Sequence, residues 1–81
     1  MKKWMIVFGE QGTGPQINDF IQIDRGYQGS WATCIAGENS WAIQEPPSCA
    51  NGASYAAKGD RGTVRNMVEY APGKLHVDFV V

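Results

Sequence analysis

The chain has 81 residues, seven basic and eight acidic side chains, a formal charge of -1 and 43% hydrophobic content. A chain of this length holds one core and buries only roughly 60 to 65 per cent of the surface its unfolded form exposes, so residues 1–81 read as a single domain with no room for a second core. The balanced charge supplies no long-range attraction for phosphate backbones or anionic lipid, and nucleic acid and membrane surfaces are not expected partners.

Ten glycines and four prolines punctuate short apolar runs, and leucine occurs once, at Leu75. A helical chain of this size would be rich in Ala, Leu, Glu and Lys, so the composition points to an all-β domain. The first predicted strand is Lys3 to Phe8, with Trp4, Ile6 and Phe8 on one face and Met5 and Val7 on the other. Both faces are apolar, as in a strand shared between two layers, and Trp4 is expected in the core. Met1, Lys2 and Lys3 begin as a secretory signal does. The apolar run behind them is shorter than the about 7 to 15 residues of a signal core or the about 20 of a membrane span, so the expectation is either a cytoplasmic location or a chain whose leader has been removed.

Gly9 to Pro15 is predicted as a loop. Its Gly9-Glu10-Gln11-Gly12-Thr13-Gly14 run has the look of a phosphate-binding loop, but Pro15, Gln16, Ile17 and Asn18 follow where a helix start and a lysine are needed, so a connector is expected. Phe20 to Asp24 alternates as a second strand, and Arg25 to Ser30 turns through Gly26 and Gly29. Trp31 to Ala36 and Trp41 to Glu45 read as a hairpin around a four-residue connector, Gly37 to Ser40, with Trp31 and Trp41 close in space. Pro46-Pro47 ends the second arm, and Ser48 to Lys58 reads as a mobile loop with at most a helical turn around Ala56 and Ala57.

The last 23 residues carry the plainest pattern. Gly59 to Val64 opens a strand, Pro72-Gly73 turns it, and Leu75, Val77, Phe79 and Val81 alternate with Lys74, His76, Asp78 and Val80. This predicts an antiparallel hairpin with the leucine face buried and the Lys74, His76, Asp78 face in water. Asp24-Arg25-Gly26 and Asp60-Arg61-Gly62 echo each other, which suggests one turn used twice, with Asp bonding the local backbone and Gly supplying positive φ.

The Gly59-Asp60-Arg61-Gly62-Thr63-Val64 opening and the Leu75-x-Val77-x-Phe79 ending resemble the strand pair of SH3-like small barrels, including those of translation factors and ribosomal proteins. Gly26-Tyr27-Gln28-Gly29-Ser30-Trp31 and Ser40-Trp41-Ala42-Ile43-Gln44 are similar to the matching part of the plasmid-borne dihydrofolate reductases of that fold. The resemblance, taken over Phe20 to Gln44 and the terminal hairpin, spans about two thirds of the chain. The resemblance implies a small antiparallel SH3-like barrel of five or six strands. The Val-Gln-Ile-Tyr active-site segment of those reductases has no counterpart here, so it does not imply their activity.

Catalytic chemistry finds little support. His76 is the only histidine, and Cys34 and Cys49 lack the short paired spacing of zinc ligands, so no metal or other cofactor is expected. Nothing in the spacing joins a thiol to His76 as a nucleophile and base. Asp24 and Asp60 fall at turn positions where Asp is structural, and Glu10, Glu38, Glu45 and Glu69 do not cluster. Two states stay open for the cysteines: a Cys34–Cys49 disulfide worth roughly 3 kcal/mol, which would imply secretion, or a reduced pair with Cys34 as a small core residue.

The strongest candidates for function are aromatic. Tyr27, Gln28, Trp31, Asn39 and Trp41 offer flat apolar faces beside hydrogen-bonding groups, which predicts a non-catalytic binding domain engaging a protein partner through this surface or an exposed sheet edge. An inhibitor of a host protein, carried by a phage or mobile element, is one specific form of that expectation. The rivals are a carbohydrate-binding module with coplanar exposed tryptophans, and a small enzyme built at the interface of a homo-oligomer.

Overall fold

The computed structural model describes residues 1–9, 13–25, 32–45 and 52–81. Seven strands occur in chain order: β1 (Lys2–Phe8), β2 (Phe20–Arg25), β3 (Ala32–Ala36), β4 (Asn39–Gln44), β5 (Ala53–Tyr55), β6 (Arg61–Ala71) and β7 (Lys74–Val80). They form one sheet in the order β4-β3-β2-β6-β7-β1-β5, and an additional β4–β1 pairing closes six of them into a ring. The fold is therefore all-β and almost wholly antiparallel, with no helix among the described residues.

The alternation read from the sequence places the core. Met5, Val7, Ile21, Ile23, Cys34, Ile43, Val64, Leu75, Val77 and Phe79 point into the ring and are buried there. Their neighbours along each strand point outward, as a period of two requires. The β3–β4 and β6–β7 turns each use two residues. Ala36 pairs with Asn39 around Gly37-Glu38, so the expected four-residue connector is shorter by two and β4 begins earlier. Ala71 pairs with Lys74 around Pro72-Gly73, where proline's fixed φ followed by Gly73 at φ 75° meets the demand of a type II turn.

β1 is the hub of the sheet. One edge pairs with β7 along its whole length, from Lys2↔Val80 to Phe8↔Lys74. The other edge is divided: Lys2, Lys3 and Trp4 pair in parallel with β5, and Ile6 and Val7 pair antiparallel with β4. β5 corrects the expectation of a loop or helical turn in this region. Its three residues are held by the free half of the β1 edge, and the Ala56 N–H extends the pairing by donating to the Trp4 carbonyl at 3.0 Å.

The Asp60-Arg61-Gly62 turn meets one half of the expectation and not the other. Asp60 does bond the local backbone, accepting from the Ala57 N–H at 2.7 Å. Gly62 is not a positive-φ position. A Cβ there would collide with the backbone carbonyl of Val80, so glycine serves close strand approach at that point. Gly26 lies outside the described residues.

Candidate functional site

The loop entering β2 plugs one mouth of the ring. Gly14 and Pro15 are buried, and Gly14 lies against Leu75 and Val7 with no space for a side chain. The chain then turns tightly: Asp19 Oδ2 accepts from the Gln16 N–H at 2.8 Å, the Asp19 N–H donates to the Gln16 carbonyl at 3.0 Å, and Asn18 adopts φ 76°. Asn is among the few side chains that tolerate this conformation. Val64 anchors the turn to β6, its N–H donating to the Asp19 carbonyl and its carbonyl accepting from the Asn18 N–H, both at 2.9 Å.

Between this plug and the start of β4 is an open cleft of about 380 Å³, lined by Thr13, Gly14, Gln16, Asp19, Asn39, Ser40 and Trp41. Trp41 pairs with Cys34 and shares the inward side of β4 with Ile43. Because it sits near the mouth, part of its indole packs on the core and part remains exposed. Gly9 leaves room beside it, since a Cβ there would approach Trp41 and the Thr13 hydroxyl. The cleft thus combines one indole wall with amide, hydroxyl and carboxylate groups on a rigid frame.

Of the expected binding residues, Asn39 and Trp41 come together at this cleft. Tyr27, Gln28 and Trp31 lie outside the described residues. Arg25 and Ala32, which flank that segment, pair with each other at the opposite end of β3 from the Gly37-Glu38 turn. Thr13, Gln16 and Asp19 were missed by sequence reasoning, because a connector without periodicity gives no sign of where it folds back.

Cys34 is a free thiol, completely buried in the ring. Burial, with a smaller contribution from the Asp19 carboxylate, pushes it from 9.0 up to about 12. Cys49 lies outside the described residues.

A second cluster occupies the outer face of β1 and β7 and corrects the water-facing assignment of His76 and Asp78. Asp78 is buried, at 4% exposure. Its carboxylate is met by His76 Nε2 at 3.2 Å, Lys2 Nζ at 3.4 Å and Asn66 Nδ2 at 3.5 Å. The His76 ring lies 4.1 Å from that of Trp4, centroid to centroid, at 58°. Trp4 is buried as expected, and its Nε1–H has no hydrogen-bond partner among the described residues. Val81, expected on the buried face, is exposed beyond the end of β7. Among the described residues, no three His, Cys, Asp or Glu side chains converge as a metal site would require.

No family model matches the chain, and comparison with curated proteins and with solved structures gave no match.

Proposed function

We propose that this chain is a non-catalytic binding domain that engages a protein partner through the cleft at Trp41 and Asn39. One observation carries the reading: an exposed part of an indole is held at a concave site whose other walls are hydrogen-bonding groups. Tryptophan is among the residues most enriched at the energetic hot spots of protein interfaces, where the partner completes its desolvation. A cleft of about 380 Å³ has the capacity for one or two side chains of a partner loop. The ring around it is already ordered, so binding loses little conformational entropy in the frame. An SH3-like barrel belongs to the same proposal, and the closed ring of six short strands supports it. An inhibitor would act by occupying its target with this surface.

The test is retention of a partner from extracts of the native host by the tagged protein, followed by titration with that partner once purified. Trp41→Ala should weaken binding by at least about thirtyfold, the level of an interface hot spot, and Asn39→Ala by less. Equal binding by Trp41→Ala, with the fold intact by urea unfolding, would remove the cleft from the interface. Quenching of tryptophan fluorescence by a glycan, with no protein retained, would replace the protein partner by a carbohydrate.

A further inference from the structure

The cleft beside Trp41 is chemically one-sided. Along its plug wall the hydrogen-bond donors are already engaged within the chain. The Gln16 and Asp19 N–H groups close the turn on each other's oxygens, the Asn18 N–H goes to the Val64 carbonyl, and the Gln16 side-chain amide directs Nε2 to the Gly14 carbonyl at 3.1 Å. The remaining polar atoms of the two side chains that line this wall, Oε1 of Gln16 and Oδ1 of Asp19, are acceptors. Among the described residues lining the cleft, Asp19 is the only charged one. It is half-buried, so its charge is screened less than one on open surface. Its field reaches Cys34 inside the ring, where it adds to the rise of the thiol. Arg65 touches the same turn through Asn18 Oδ1, at 3.5 Å, but does not line the cleft.

The opposite wall has the same preference. The face of the Trp41 indole carries negative potential and attracts a cation laid over it. Asn39 and Ser40 contribute a carbonyl and a hydroxyl oxygen at the rim.

We propose that the group this cleft takes from its partner is an arginine side chain, with the guanidinium held between the Trp41 indole and the Asp19 carboxylate; the proposal rests on the reading of the cleft as a protein-binding site. The planar guanidinium stacks on an indole, and its N–H donors suit a wall of acceptors. A lysine ammonium is a compact, strongly hydrated charge with fewer donors and no plane to stack, so it fits less well. A carboxylate guest meets repulsion from Asp19. An apolar one would bury the acceptors of Gln16 and Asp19 without replacing their water.

N-acetyl-L-arginine amide, titrated into the full chain at fixed ionic strength, should shift the Trp41 indole N–H resonance, assigned against Trp41→Phe, with a Kd of about 1 to 10 mM. The citrulline analogue has nearly the same shape with a neutral urea in place of the guanidinium, and it should bind at least about tenfold more weakly. Asp19→Asn keeps an acceptor for the Gln16 N–H and removes the charge, so it should weaken arginine binding by about the same factor. Absence of a shift at about 100 mM arginine amide, citrulline or lysine amide binding as tightly as arginine amide, or a folded Asp19→Asn that binds as wild type does would each overturn the proposal. The citrulline comparison uses the wild-type chain and decides the matter if Asp19→Asn fails to fold. A retained protein partner whose affinity falls with Trp41→Ala but not with Asp19→Asn would leave the cleft as an interface and remove arginine from it. Arginine binding with no protein retained would leave the cation site standing and overturn the protein-partner reading.

Discussion

Cys34 shows how one buried side chain couples the fold to pH. Its thiol is raised from 9.0 to about 12, mainly because the ring interior cannot solvate a thiolate. Below pH 9 the thiol is protonated in both folded and unfolded chains and costs nothing. Above pH 9 the unfolded chain loses the proton while the folded chain retains it, so stability falls by roughly 1.4 kcal/mol per pH unit until about pH 12. The comparison that isolates Cys34 is with Cys34→Ala. Urea unfolding at about pH 8 and about pH 10.5 should show the wild type losing about 2 kcal/mol more than the variant between the two conditions. Parallel losses would mean that the thiol is accessible to water in the folded chain. The same burial predicts that iodoacetamide leaves Cys34 unmodified in the native protein and alkylates it in urea.

At the scale of the strands, Asp78 ties β1, β6 and β7 together. Lys2 contributes from β1, Asn66 from β6 and His76 from β7 itself, all converging on one carboxylate that is 5% exposed. Removing the carboxylate leaves three polar groups without their acceptor. Lys2 is 42% exposed and can return to water, so Asp78→Ala should cost about 2 kcal/mol, less than breaking a fully buried pair. Asp78→Asn keeps one acceptor oxygen, for His76 or for Lys2 and Asn66 but not for both sides, and should cost less than Asp78→Ala, a difference measurable as ordered shifts in the urea midpoint. This cluster was not legible in the sequence. The alternation of β7 correctly separates its two faces, but it cannot foresee that Trp4 and Lys2 of a strand far away in the chain would cover the outer one. β5 escaped for a related reason, since three residues of Ala, Ser and Tyr carry no period and owe their extended form to the β1 edge. The strands that were legible, β1 to β4, β6 and β7, have an inward set of apolar residues that identifies them without knowledge of their neighbours. The cleft was half legible: aromatic and amide residues beside a turn drew attention to Trp41 and Asn39, whereas Thr13, Gln16 and Asp19 acquire a role only once Pro15 plugs the mouth.

For the whole molecule, the decisive feature is that the first and last strands are neighbours. β1 and β7 pair over seven residues each, and the Val81 N–H donates to the Met1 carbonyl at 2.9 Å. Joining these ends through a short Asn-Gly turn would make an ordinary antiparallel hairpin, because the strands already run in opposite directions with their ends opposed. New ends can then be opened between Gly37 and Glu38, which are both exposed in a two-residue turn. Such a permutant preserves every ladder of the ring and exchanges one short loop closure for another, so its stability should lie within about 2 kcal/mol of the parent. Opening the same joined chain between Met5 and Ile6 should abolish folding. That break divides β1 at the point where its edge passes from β5 to β4, and it releases the two Ile6 and Val7 pairs that close the ring. Urea unfolding followed by tryptophan fluorescence separates the outcomes. Cooperative unfolding of the β1-opened chain would show that the ring does not depend on the continuity of β1, and failure of the turn-opened chain would show that the β3–β4 hairpin must form as an intact local unit.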